Sequence, residues 1–326
     1  MITLTPQHHT WIQNTISKKY GDLLNITPLP EHADYRRYWR ILMSRKPFIY
    51  MQTSPKFDME KFIHSTAYLE KNRVPVANII ASNPRLHCLI LEDLGQISLL
   101  NYTKKKPHSY LAIYKKSIDL LHHWQSITTY PNTIPNYTSQ IAKDNANLCI
   151  QWFCQTWAEQ PLSKKETYAW NDAMANISKA WEKSPTALCH RDYHSDNIMI
   201  QGNQLKILDY QDLAIGPIHY DLASLLTDHY YSHTPKTQQT LIQYATQKQG
   251  IPFDHRTFYT IVYQRHLKNL GVFTRLHHRD QKSQYLKYIP RMLQTMEYIS
   301  GHIPDFSVLT QHLVNKYIYK IRKIQI

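Results

Sequence analysis

Apolar and polar residues in the first hundred positions alternate in short runs. Arg37–Leu42 and Pro47–Gln52 are two of these, split by Ser44-Arg45-Lys46, and predict a hairpin of extended strands. Met59–Lys71 changes period: apolar residues at 59, 62, 63, 67 and 69 form one helical stripe behind Asp58, a natural N-cap. Pro75–Ala81 and His87–Glu92 read as two further strands, separated by Asn83-Pro84. After Gly95 the texture becomes that of long amphipathic helices, clearest in Leu111–Trp124, Ala146–Trp157 and Lys164–Trp181. The pattern predicts an α+β chain of two lobes. Residues 1–95 make a small β-rich lobe with one helix, the connection falls near Glu92–Gln96, and residues 96–326 make a larger, mainly helical lobe. A cleft between two such lobes is a common place for a ligand.

The densest polar cluster interrupts the helical half. Leu188-Cys189-His190-Arg191-Asp192-Tyr193-His194-Ser195-Asp196-Asn197 is followed by Ile198-Met199-Ile200, the turn Gln201-Gly202-Asn203-Gln204, and Leu205-Lys206-Ile207-Leu208 before Asp209. Two apolar runs about a Gly-Asn turn predict a hairpin, which brings Asp192 and Asn197 beside Asp209 despite their separation in sequence. Such a set suits phosphoryl transfer, which needs an oriented hydroxyl and cations on the phosphate oxygens. Asp192 can orient the hydroxyl and accept its proton. Asn197 and Asp209 offer the amide and carboxylate oxygens that Mg²⁺ prefers. Two plainer readings compete. His190 and His194 are spaced to share a zinc ion, but no Glu stands in His-Glu-x-x-His order and no third Cys or His lies at ligand spacing; and a polar hairpin can be surface ornament. The complete ordered set, ending in the kinase spacing His-Arg-Asp, four residues, Asn, favours catalysis.

Composition changes this picture little. The chain has 326 residues, 42% hydrophobic and 19% charged, enough for two globular cores and too balanced for disorder. No apolar run approaches the roughly 18 residues of a membrane span, and the N-terminus lacks the basic and apolar segments of a signal peptide. Cys88, Cys149, Cys154 and Cys189 form no Cys-x-x-Cys pair, so reduced thiols and a cytoplasmic location are expected. The net charge of +14 could serve nucleic acid, an anionic membrane or a phosphorylated ligand. Its longest run is only Lys104-Lys105-Lys106, and no RNA- or DNA-binding pattern arranges the 24 tyrosines. Neither a nucleic-acid nor a membrane partner is expected.

The second cluster, Asp209-Tyr210-Gln211-Asp212-Leu213-Ala214-Ile215-Gly216-Pro217 through Asp221-Leu222-Ala223, resembles the signature of the aminoglycoside phosphotransferase and choline kinase superfamily. That resemblance implies a protein-kinase-like fold, ATP as phosphate donor, Asp192 as base, and Asn197 and Asp209 as Mg²⁺ ligands. It also implies that His190 and Asp221 support the catalytic loop; an N-cap ahead of Leu222 is an equally good role for Asp221. The order Asp34-Tyr35-Arg36-Arg37-Tyr38-Trp39-Arg40, Leu91-Glu92-Asp93-Leu94-Gly95 and Gln264–Phe273 further resembles the bacterial anomeric sugar kinases. Those enzymes phosphorylate N-acetylmuramate and N-acetylglucosamine at C1 in cell-wall recycling. The resemblance implies that Glu92 and Leu94 are hinge residues offering backbone groups to adenine, and His194 is a candidate substrate contact. Arg265 and Lys268 lie three apart on one helix face, either to meet a sugar carboxylate or as a solvated face.

Three departures stand out. No glycine lies between Gly21 and Gly95, so no Gly-rich loop wraps the phosphates and a Walker A site is excluded. The strand Pro47–Gln52 carries Met51 and Gln52 where kinases place a lysine; Arg36 or Arg37 can supply that charge, or be surface residues. Asn145 and Asn147 stand where these sugar kinases carry glutamate. Other readings remain open: a kinase for an aminoglycoside, a choline-like alcohol or another sugar, or a nucleotide-binding scaffold without turnover.

Overall fold

The computed structural model describes residues 4–30, 36–250 and 253–324; Asp34 and Tyr35, which open the arginine-rich motif, lie outside them. In chain order the elements are α1 (Pro6–Tyr20), β1 (Leu23–Pro28), β2 (Arg37–Met43), β3 (Pro47–Gln52), α2 (Met59–Lys71), β4 (Ile79–Asn83) and β5 (Cys88–Glu92). Then come α3 (Leu99–Lys105), α4 (Tyr110–Gln125), α5 (Ser139–Leu148), α6 (Lys164–Lys183) and β6 (Thr186–Cys189). A hairpin of β7 (Ile198–Gln201) and β8 (Gln204–Ile207) follows, then β9 (Ala214–Pro217), α7 (His219–Leu226), α8 (Pro235–Gln249), α9 (His255–Asp280), α10 (Ile289–His302) and α11 (Ser307–Ile324). Two compact units result. The described residues up to Ser98 form the first with Ile198–Gln211; Leu99–Asn197 and the described residues from Asp212 onward form the second. This is the protein-kinase-like α+β architecture, with a small antiparallel β lobe and a mainly helical remainder.

The first unit is a five-stranded antiparallel sheet of order β1-β2-β3-β5-β4. The predicted hairpin is β2–β3, in register from Arg37↔Gln52 to Leu42↔Pro47. Asp58 caps α2 by accepting the Lys61 N–H at 2.8 Å, as its position at the end of the polar approach implies. The single-helix expectation is corrected by α1. It buries His8, Ile12 and Ile16, spaced four apart, and the two isoleucines join a core with Trp39, Ile41, Phe48 and Tyr50. The strand expected from Pro75 starts only at Ile79. Pro75 has no N–H to give a ladder, and its carbonyl instead accepts the Ile207 N–H at 2.9 Å, tying the β7–β8 hairpin to this unit. The turn of that hairpin uses the left-handed backbone of Gly202, φ 59°.

In the second unit α6 is closed at its start by a capping box, with Ser163 and Glu166 bonding each other's backbone N–H. It buries Trp170, Ala173, Met174, Ile177 and Trp181. Each large apolar side chain of that kind contributes about 1.5–3 kcal/mol. The segment expected as one helix over Ala146–Trp157 is two: α5 ends at Leu148 and a π-helical stretch runs Cys149–Trp157. That junction faces α9 so closely that a Cβ on Gly271 would lie 2.2 Å from the Leu148 carbonyl carbon. Only glycine permits the approach. Strands β6 and β9 pair antiparallel from Thr186↔Pro217 to Cys189↔Ala214, and the loop leaving β6 carries the polar motif of residues 190–197.

Candidate active site

The motif loop, residues 190–197, is pinned at nearly every step. Asp221, in the first turn of α7 and fully buried, accepts the His190 N–H at 2.6 Å and the Arg191 N–H at 3.0 Å. It is therefore a brace for the loop and not a helix cap, a position that Ile218 occupies. Its burial raises its pKa, opposed by His190, the two backbone donors and Arg265. Arg191 sits between these bonds in the left-handed region, φ 71°, which costs a non-glycine residue about 1–2 kcal/mol. The Tyr193 hydroxyl donates to the Ser117 carbonyl at 2.7 Å, anchoring the loop on α4. The Ser195 N–H donates to Asp228 at 3.0 Å, and its hydroxyl bonds the same carboxylate. His190, completely buried, lies against Trp124 and Tyr193, and its Nδ1 accepts the Asp192 N–H at 3.2 Å.

With its neighbours fixed, Asp192 is the member left open: 52% of its side-chain area is accessible, against 9% for His194. The His194 Nε2 stands 3.2 Å from the Asp192 carboxylate. Desolvation by the surrounding protein pushes the Asp192 pKa up, but His194, Lys268 and Arg265 hold it well below the usual carboxylate range. Burial lowers the His194 pKa, and Asp192, Asp228 and Asp196 overcome this and raise it to about 9. A competing influence is the Asp196 N–H, donated to His194 Nδ1 at 3.2 Å, which favours a neutral ring. In either state a proton on Nε2 faces Asp192. Asn197 donates from Nδ2 to the Asp192 carbonyl at 3.0 Å and to its carboxylate at 3.4 Å. Its Oδ1 has no hydrogen bond among the described residues. That leaves a hard amide oxygen, the donor type Mg²⁺ accepts.

Asp209 lies in the first unit, two residues beyond β8, with φ 60°. The Arg36 guanidinium donates to it at 2.7 Å and to Gln211 at 3.1 Å. Arg36 is 6% exposed, between the rings of Phe57 (5.5 Å) and Tyr38 (5.9 Å), while Asp209 keeps 39% of its side-chain area. Of the two arginines considered for the missing lysine, Arg36 meets Asp209 and Arg37 is exposed at the start of β2. Met51 is buried in the sheet. Tyr210, next to Asp209, stacks on Phe62 at 5.3 Å and shares a 2.9 Å hydroxyl bond with Thr66, both from α2. Among the described residues no group of three or more His, Cys, Asp or Glu could hold a metal alone. Asp209 carries a carboxylate and Asn197 an amide oxygen, each a donor of the kind Mg²⁺ accepts alongside nucleotide phosphates.

The hinge expectation is partly revised. The Glu92 side chain is committed to Lys206 at 2.7 Å and to Asn78 at 2.9 Å, and its N–H already goes to the Asn78 carbonyl at 2.9 Å. The Glu92 N–H is thus spent within the sheet. Leu94 is buried in an apolar cluster with Ala77 and Met199, flanked by Leu208. Asp93, between them, is held by the Arg40 guanidinium at 2.6 and 3.1 Å.

The two α9 residues part company. Arg265 is 4% exposed, donates to the Arg191 carbonyl at 3.1 Å and lies 4.8 Å over the Tyr220 ring. Arg265 thus ties α9 to the 190–197 loop through the Arg191 carbonyl. Lys268, one turn on, is half-buried, with no hydrogen bond or ion pair to its ammonium among the described residues. Burial lowers its pKa; Tyr137 and Asp192 act against this, and Arg265 and Arg191 with it. Sequence reasoning missed Asp228, Tyr137 and Tyr220. Tyr137 receives a hydrogen bond from Asn145 at 3.2 Å and carries Arg191 over its ring at 4.6 Å. Asn145, singled out for standing where related enzymes carry glutamate, therefore does reach this neighbourhood. Nothing in the local pattern marks these tyrosines among 24.

Residues 25–258 match the phosphotransferase enzyme family. The chain belongs to that family. It is 27% identical over 315 residues to an N-acetylmuramate/N-acetylglucosamine kinase of Neisseria meningitidis serogroup B, covering 93% of each chain. A protein of the same name from Pseudomonas aeruginosa is 25% identical over 312 residues, 92% of this chain and 91% of that one. Among solved structures it resembles the choline kinase LicA of Streptococcus pneumoniae, with TM-score 0.67, 12% identity and coverage of 89% and 98%. An ADP-bound aminoglycoside phosphotransferase superposes with TM-score 0.62, 14% identity and coverage of 90% and 98%. The likeness to those structures carries the fold. The family and the named relatives make this phosphotransferase one that acts on a hydroxyl acceptor.

Proposed function

We propose that this phosphotransferase is a cytoplasmic amino-sugar kinase that moves the γ-phosphate of ATP to the anomeric hydroxyl of N-acetylmuramate or N-acetylglucosamine, as part of peptidoglycan recycling. The observation that carries the reading is Asp192. It is the open carboxylate of a loop whose other members are tied down, in a chain similar along almost its whole length to enzymes named for these two sugars.

In this reading Asp192 accepts the hydrogen bond of the acceptor hydroxyl and takes its proton as the bond to phosphorus forms. A carboxylate held well below the usual range is a weak base, so its main work is orientation. An anomeric hydroxyl is more acidic than an ordinary sugar alcohol, which suits such a base. The His194 Nε2–H fixes the Asp192 carboxylate, and Asn197 holds the same carboxylate and the carbonyl behind it. Asn197 Oδ1 and Asp209 match the family's metal-binding positions by their place in the motif and would hold Mg²⁺, which neutralises charge on the transferred phosphoryl group. The backbone groups of Leu94 would meet the adenine edge. Lys268 would meet the lactyl carboxylate of N-acetylmuramate.

Coupled measurement of ADP release from Mg·ATP, across N-acetylmuramate, N-acetylglucosamine, glucosamine, choline and an aminoglycoside, tests the proposal. Preference for the two N-acetylated sugars is expected. Turnover of choline or the aminoglycoside in preference to both would remove it.

A further inference from the structure

We propose that Arg36 makes the metal site conditional on the nucleotide: it holds Asp209 while no phosphate is present, and exchanges that carboxylate for phosphate oxygens when Mg·ATP arrives. The inference rests on the kinase reading above and adds an order of events to it. Three observations within the first unit carry it. The Arg36 guanidinium lies 2.7 Å from the very carboxylate that the motif gives to the metal, and a second bond to Gln211 at 3.1 Å holds it there. The arginine is 6% exposed while Asp209 keeps 39% of its side-chain area, so the carboxylate is open to solvent on another side. The sheet offers no lysine at Met51 or Gln52 to meet phosphate.

A guanidinium in contact with a carboxylate competes with a divalent ion for the same oxygens and repels it. Phosphate oxygens change that balance, since a guanidinium binds them in the same two-pronged way as a carboxylate. The incoming nucleotide thus removes the competitor and delivers the metal together. Tyr210 keeps the loop from following the arginine, because its ring is stacked on Phe62 and its hydroxyl is bonded to Thr66. Asp209 can therefore stay in place while Arg36 moves. A free divalent ion should bind poorly, and the nucleotide complex well.

The test uses the whole chain without sugar. Mn²⁺ alone is titrated by calorimetry or electron paramagnetic resonance, and a non-hydrolysable ATP analogue with Mg²⁺ is titrated separately, for wild type, Arg36→Gln and Arg36→Lys. In Arg36→Gln, free Mn²⁺ should bind about tenfold tighter, the scale of one unit charge acting on a divalent ion nearby. The Mg·nucleotide complex should bind about tenfold more weakly. Arg36→Lys keeps the charge, so free Mn²⁺ affinity should stay within about twofold while nucleotide affinity falls less than in Arg36→Gln. It also serves as the conservative variant should the glutamine variant not fold. A fall of both affinities together would make Arg36 a mere prop for the loop and overturn the proposal, as would no change in either. Wild type that binds no nucleotide at all would overturn the kinase reading itself, a distinct outcome.

Discussion

Replacing Asp221 with asparagine should cripple turnover without touching any group that meets a ligand. The carboxylate is completely buried and receives two backbone N–H groups, from His190 at 2.6 Å and Arg191 at 3.0 Å. Hydrogen bonds to a charged group contribute about 1.5–3 kcal/mol each. Asparagine keeps one carbonyl acceptor and turns an NH₂ toward the other donor, so a net loss of about 2–4 kcal/mol follows. Arg191 at φ 71° has its own backbone cost to recover, about 1–2 kcal/mol, and these bonds hold it there. The loop would leave its working geometry for most of the time. A deficit of that size converts to a fall in kcat of about 30- to 1,000-fold. Steady-state ADP release gives kcat, and calorimetry with an ATP analogue checks that nucleotide affinity stays within about threefold. A kcat within about threefold of wild type would refute the bracing role. So would an equal loss of nucleotide binding, since Asp221 would then support more than the loop.

Asp192→Asn should lower kcat by about 10²–10⁴-fold with nucleotide binding intact, and activity within tenfold of wild type would take the base role away from Asp192. Lys268→Met should raise KM for N-acetylmuramate by about tenfold or more while leaving N-acetylglucosamine within about threefold, whereas Arg265→Ala should reduce kcat with both sugars alike; an equal effect of Lys268→Met on the two sugars would contradict its pairing with the carboxylate. Glu166 supplies the pH test. Burial pushes its pKa up, but Lys316 at 2.7 Å and the Ser163 N–H bring it down from 4.5 to about 2, so its contribution is present above 4.5 and lost as pH falls towards 2. That window is worth on the order of 3 kcal/mol, and Glu166→Gln should flatten the acid limb of stability in urea unfolding between those values; an unchanged slope would contradict it.

What the sequence revealed follows a physical line. The β2–β3 and β7–β8 hairpins and the Asp58 cap depend on neighbours a few residues away, so turn residues and local periodicity disclosed them. The order of the catalytic motif was legible for the same reason. Helix α1 was overlooked because its apolar stripe is thin: His8, Ile12 and Ile16 are buried amid a largely polar run. Strand β1 shows little alternation, lying at the sheet edge with much of its length exposed. The different surroundings of Arg265 and Lys268 cannot be read from two cations on one helix face. It depends on which guanidinium reaches the Arg191 carbonyl and the Tyr220 ring, a matter of packing between α9 and elements more than forty residues away. The same holds for Arg36, whose partner Asp209 is 173 residues on.

The central claim is transfer to an anomeric oxygen, and phosphorus NMR of the product tests it most directly. Purified protein, Mg·ATP and N-acetylmuramate or N-acetylglucosamine should yield a phosphate resonance split by the anomeric proton, and the corresponding methyl glycosides should not react. A 6-phosphate product, or a methyl glycoside that reacts as well as the free sugar, would contradict the account.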